Sequence, residues 1–239
     1  MINTTLTIAA FVCASSSVHA LPTGEQVHAR YLEVTGGEDN HRRLKGLHIE
    51  GRVRIGAMEL EGTYEQYTTA PAQYWSKTVF DQLGEVIVVV NGEDAWQTAP
   101  SLGSARLSGQ ELTDALLVAD FYRDLDVTQD FDPIVNTGEA DFEGERCYRV
   151  KLTSTTAAPD ETRYYSVETG YLIARVSDNG SGPTEVYSDF REVGSVLMPH
   201  KTEVRTQGIA GLGFEFIRER IRANPRVPSG LFDPPAALN

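Results

Sequence analysis

The chain has 239 residues, with 34 Asp and Glu against 21 Lys and Arg, a formal charge of −13 and two cysteines. So acidic a chain repels a phosphate backbone, which argues against nucleic-acid binding, and a hydrophobic content of 41% is enough to fill a core. Two cysteines cannot staple a disulfide scaffold, and the length suits one large domain or two small ones.

Residues 1–24 carry no Asp, Glu, Lys or Arg. The apolar run Leu6–Ala14 is followed by Ser15-Ser16-Ser17 and Val18-His19-Ala20. Small residues at Val18 and Ala20 match a signal-peptidase site, so residues 1–20 are expected to be an export signal cleaved after Ala20. The run is too short for a comfortable membrane span, and Cys13 sits in no lipobox. Cleavage leaves a domain of residues 21–239 with Cys147 as its one thiol. That cysteine lies in the alternating stretch Arg146–Val150 with no adjoining His, which predicts a packed strand residue rather than a nucleophile.

Thr23-Gly24-Glu25-Gln26 has the form of a capping box, and Val27, Tyr31 and Val34 continue it at helical spacing. Gly36-Gly37 stops that helix, and a short helical turn over Asp39–Leu44 follows. After Gly46 the period becomes two. Ile49, Val53 and Ile55 share one face of a strand, while His48, Glu50, Arg52 and Arg54 share the other. Met58, Leu60 and Tyr64 alternate after a Gly56-Ala57 turn. Tyr74–Phe80 pairs with Glu85–Val90, and Asn91-Gly92 marks a hairpin into Ala95-Trp96-Gln97.

Ser108-Gly109-Gln110-Glu111 reads as a second capping box, opening the longest helix over about 109–125. Leu112, Ala115, Leu116, Leu117, Ala119, Phe121 and Leu125 spread around so much of its girth that it calls for cover on more than one side, as a plug or lid. Strands resume at 138–142, 146–153, 162–167, 171–177, 184–191, 197–206 and 213–222. Phe232, in the Pro-rich tail Val227–Pro235, is an anchor. About eleven strands of antiparallel meander must curl or split. The expected fold is mainly β, of the α+β class: one curled antiparallel sheet, or half-open barrel, with two or three helices in its concave face.

Signatures of chemistry are sparse. There is no HExxH, CxxC, G-x-S-x-G or P-loop, so neither a metal nor a cofactor nor a catalytic set is expected. Gly208–Gly213 reads as a hairpin loop rather than a phosphate cradle. Asp189 alternates with apolar neighbours beside Arg191; an edge ion pair is the plain reading, and a general acid or base lacks a second partner. Arg42, Arg43, Lys45, Arg52 and Arg54 form one basic cluster. Arg218, Arg220 and Arg222 form another, read as sharing one strand face. Each is either solvated surface or a rim facing an anionic head group or acidic partner.

Several landmarks occur in a familiar order: Tyr31–Gly37, Asn91-Gly92-Glu93-Asp94-Ala95-Trp96, Gly144–Val150, Tyr165–Leu172, Tyr187–Pro199 and Leu231-Phe232-Asp233-Pro234. Together they resemble the LolA/LolB-like outer-membrane lipoprotein-sorting superfamily, over nearly all of residues 21–235. The resemblance implies a half-open barrel that binds acyl chains or other lipophilic ligands between sheet and helices. LolA carries lipoproteins across the periplasm; LolB receives them and is lipid-anchored, a role the missing lipobox disfavours. LolA-type carriers hold their lid with a strand arginine, and no position here matches that motif. The fold also hosts sensors that bind a membrane regulator and at least one pigment-pathway enzyme.

The leading expectation is a non-catalytic periplasmic carrier of a lipid or lipoprotein acyl chain. A lipid-sensing or scaffold protein that binds an envelope protein is the alternative, and an enzyme is disfavoured. The expected cavity lining is Ile49, Val53, Ile55, Leu60, Tyr64, Trp75, Val88, Trp96, Tyr164, Val186 and Phe190 from strands, with Leu116 and Phe121 from the helix. A slip of one residue in register would turn any of these to the other face.

Overall fold

Alternating apolar residues separated by tight turns build one sheet. A computed structural model of the protein describes residues 20–100, 103–156, 158–178, 182–206 and 213–235. The expected export signal, apart from Ala20, and most of the Gly208–Gly213 loop lie outside them. The strands are β1 Gly46–Ile55, β2 Leu60–Thr69, β3 Gln73–Phe80, β4 Gly84–Asn91, β5 Asp94–Ala99, β6 Gly103–Arg106, β7 Phe131–Phe142, β8 Glu145–Ser154, β9 Glu161–Ser166, β10 Leu172–Ser177, β11 Thr184–Val193, β12 Val196–Arg205 and β13 Gly213–Ala223. They form a single thirteen-stranded antiparallel sheet in the order β6-β5-β4-β3-β2-β1-β13-β12-β11-β10-β9-β8-β7. The chain therefore meanders outward from β1 to β6, crosses over, and returns from β7 to close on β1 through β13.

The strand count exceeds the expected eleven. The short edge strand β6 has no alternation to betray it, and β7 begins seven residues before 138. Four α-helices are described: α1 Gly24–Val34, α2 Glu38–Arg43, α3 Gly109–Ala119 and the single turn α4 Val127–Asp130. The Thr23–Gln26 capping box forms in full. At α3 the expected box does not form, because Gly109 enters with φ +57° and Ser108 makes no side-chain cap bond.

Helix α3 also ends at Ala119, six residues short of Leu125. The Asp120 carboxylate accepts the Tyr122 N–H at 3.1 Å, an Asx turn that competes with the helical ladder. The next residues, 120–126, run on as a strap of successive turns between α3 and α4, with the Leu125 and Asp126 N–H groups both donating to the Tyr122 carbonyl at 2.8 Å.

The helices cover one face of the sheet. Val27 of α1 joins Val127, Phe131, Val150, Leu152, Tyr165 and Leu172 in one buried cluster. Leu112, Ala115 and Leu116 of α3 pack on Val90 and Ala95 in another. Ile49, Val53, Ile55, Tyr64 and Phe80 form a third, with Leu60, Phe214 and Phe216 against it. Phe232 is buried as an anchor, and Cys147 is fully buried, with burial pushing its thiol up to about 11.

The outer face carries ion pairs and a cross-strand ladder. His48 stacks on Tyr67 at 4.0 Å, and Tyr67 meets Trp75 edge-on. Asp189 pairs with Arg191 at that surface.

Candidate functional site

Between the inner face of the sheet, α1 and the strap lies a cavity of about 370 Å³. Its apolar wall comes from Leu44, Leu47, Ile49, Leu197, Met198 and Ile221, with Leu117 and Phe121 from α3 and the strap. Its polar end carries Tyr31, Arg123, Asp124, Arg175, Glu185 and Tyr187. The volume falls within the range of about 300–1,000 Å³ typical of small-molecule pockets.

Three of the expected lining residues, Ile49, Phe121 and Phe190, border this cavity. Phe190 reaches it because Asp189 takes φ +56°, interrupting the alternation after Tyr187 so that both rings turn inward. Val53, Ile55, Leu60 and Tyr64 belong to the packed cluster beside the cavity. Leu116 lies in the core beneath α3. Val88 shares the inner face by pairing with Ser76 and Gln97.

Four residues sit on the outer face instead of the expected inner one. Trp75 and Trp96 both stand opposite Val89, in the row of Tyr67 and His48, one residue out of phase with Ile49. Tyr164 and Val186 both stand opposite Ala174, while their neighbours Tyr165 and Tyr187 take the inner positions. Aromatic and aliphatic residues occupy both sides of these strands, so composition does not distinguish the faces.

A bulge corrects the second basic cluster. Glu50 pairs with Arg220, but the next residue, Gly51, pairs with Arg218, leaving Glu219 over. Arg220 and Arg222 stay outside on Glu50, whereas Arg218 turns into the cavity wall. Gly51 is required there: a Cβ would lie 2.0 Å from the Ile217 carbonyl oxygen.

The strap is pinned by polar contacts rather than by apolar packing alone. The Phe121 N–H donates to the Pro71 carbonyl at 3.0 Å. The Tyr122 hydroxyl donates to the Leu44 carbonyl at 2.9 Å and accepts from Lys45 Nζ at 3.0 Å. Arg123 pairs with Glu161 of β9, and Arg42 Nη2 reaches Asp126 at 2.6 Å. Asp124 pairs with Arg175 of β10 and lies 3.2 Å from Nη1 of Arg163 of β9.

This buried network is the feature that sequence reasoning missed. Arg163 is 0% exposed and Glu161 2%, with Arg163 Nε donating to Glu161 at 2.9 Å and Arg175 Nε at 3.5 Å from the same carboxylate. Burial opposes the charge of Asp124, but Arg175, Arg163 and Arg123 outweigh it and hold its carboxyl well below the usual range. The same contest, won mainly by Arg163 and Arg175, lowers Glu161. Beside them His28 contacts the Tyr165 hydroxyl at 3.0 Å, and burial, reinforced by Arg163, lowers its pKa to about 4. Asp124 is still 43% exposed, consistent with its position on the cavity wall. Three of these residues, Glu161, Arg163 and Tyr165, fall on one side of β9 at the period of two, the one signal in the sequence that pointed to the group.

Among the described residues no group of three or more His, Cys, Asp or Glu side chains converges as a metal-ligand set. No described helix is long and apolar enough to cross a membrane.

No protein-family model matches this sequence, and no curated protein is similar to it in sequence. Solved structures share its fold. A DUF1329 family protein from Desulfovibrio piger superposes with a TM-score of 0.61 at 14% identity, over 87% of this chain and 96% of that one. A LolA superfamily protein from Nitrosomonas europaea gives 0.57 at 14% identity, over 89% and 98%. A domain from Vibrio parahaemolyticus described as an outer membrane lipoprotein-sorting protein gives 0.53 at 11% identity, over 86% and 97%. The chain is LolA-like: it carries the fold of LolA superfamily and DUF1329 proteins.

Proposed function

We propose that the protein is a non-catalytic periplasmic carrier for a lipid or for the acyl chains of a lipid-modified protein. In this reading residues 1–20 are the export signal and 21–239 the carrier domain. The observation that carries it is the cavity of about 370 Å³ between an apolar sheet wall and a strap held by ion pairs. Burying an acyl chain there is worth roughly 0.8 kcal/mol per methylene. Ion pairs and hydrogen bonds suit a lid, because water and counter-charges replace them when it lifts. The likeness to lipoprotein-sorting folds agrees with this reading.

Native mass spectrometry of the protein purified from its own cell envelope tests the proposal. Co-purifying lipid that exchanges with added lipid is expected, and Leu117→Trp, which fills the cavity from α3, is expected to reduce the bound fraction. A protein that never takes up lipid overturns the carrier. A protein partner captured equally by the wild type and by Leu117→Trp favours a scaffold. N-terminal sequencing should begin at Leu21, and a retained Met1 would remove the export signal.

A further inference from the structure

We propose that Arg218 is the anchor for an anionic head group, so that the cavity selects amphiphiles with one carboxylate or phosphate over neutral lipids. This rests on the carrier reading and names its ligand class.

Three arginines border the cavity, Arg123, Arg175 and Arg218. The first two are paired with Glu161 and Asp124. Arg218 has no carboxylate partner among the described residues; its Nη1 donates to the Pro199 carbonyl at 2.7 Å, and its Nε is buried without a hydrogen bond. The carboxylates of the cavity wall are engaged elsewhere: Asp124 by Arg175 and Arg163, Glu185 by the Tyr187 hydroxyl, and Asp120 by the Tyr122 N–H. An unpaired cation in a largely apolar wall is costly to keep. Here the β-bulge at Gly51 turns it inward, away from Glu50, which pairs with its strand neighbours Arg220 and Arg222. An incoming anion would meet a guanidinium that no described carboxylate balances, and its tail would lie along Leu47, Ile49, Met198 and Ile221, which border the same cavity.

Calorimetric titration of the delipidated protein with oleate, methyl oleate and inorganic phosphate tests this. Oleate is expected to bind at least about tenfold more tightly than methyl oleate, the worth of a hydrogen bond to a charged group. Arg218→Met should bring oleate to the level of methyl oleate, and Arg218→Lys should keep part of the preference. Thermal unfolding of both variants checks that they fold; should neither fold, the wild-type comparison decides. Equal binding of oleate and methyl oleate overturns the anchor while leaving the carrier standing. Binding of neither overturns both. Phosphate binding as tightly as oleate overturns the assignment to a lipid in favour of a free anion.

Discussion

Asp124 and Arg175, 51 residues apart in sequence, are hydrogen-bonded across the roof of the cavity. The carboxylate belongs to the strap and the guanidinium to the inner face of β10. Together with Arg163 and Glu161 they join the strap to the sheet through largely buried charge, so the strap's attachment should be sensitive to substitution and to acid.

Glu161→Gln removes one of the carboxylates that balance Arg123, Arg163 and Arg175. Breaking a buried pair from one side typically costs about 3–5 kcal/mol, because the remaining charges stay buried without compensation. Urea unfolding at neutral pH should show a loss of that order. A loss below about 1 kcal/mol would mean that water or counter-ions already compensate the arginines.

Stability should fall in two stages on acidification. The folded pKa of His28 is lowered from 6.5 to about 4. Between those values the unfolded chain binds a proton that the folded chain refuses. Its contribution is therefore complete above pH 6.5 and declines as pH falls to about 4, by roughly 3 kcal/mol in all. Asp124 and Glu161 are lowered from their unfolded values, so their contribution holds above about pH 4 and is lost below it. His28→Gln should flatten the first stage and leave the second. A variant whose curve between pH 6.5 and 4 matches the wild type would assign that slope to other groups.

Gly51→Ala should be destabilising out of proportion to one methyl group. The added Cβ would sit 2.0 Å from the Ile217 carbonyl oxygen, so the β1–β13 bulge must open. A loss of at least about 1–3 kcal/mol is expected from overpacking, measured by thermal unfolding. An unchanged melting temperature would show that the bulge tolerates a side chain.

Much of the fold was legible because its signals are local. The Thr23–Gln26 box, the Asn91-Gly92 turn and the alternation of Ile49, Val53 and Ile55 each depend on residues a few positions apart. Helix α3 was legible at its start but not at its end, where one Asp side chain redirected the chain into the strap. The cavity was legible only in part. Ile49, Phe121 and Phe190 border it, whereas Trp75 and Trp96 stand one position out of phase, and Phe190 itself arrives through a left-handed residue.

The sequence by itself determined an antiparallel, mainly β chain with helices at the start and middle, because period, caps and turn residues act through the nearest neighbours. The tertiary structure alone decided which side of each strand faces the cavity, since a single bulge at Gly51 reverses Arg218 relative to Arg220. It also decided that Arg123, Asp124, Glu161, Arg163 and Arg175 form one network, buried at Glu161 and Arg163 and open to the cavity at Asp124. In sequence they are scattered charges in an acidic protein. Burial and mutual distance, which only the folded sheet supplies, turn them into the fastening of the strap to the sheet.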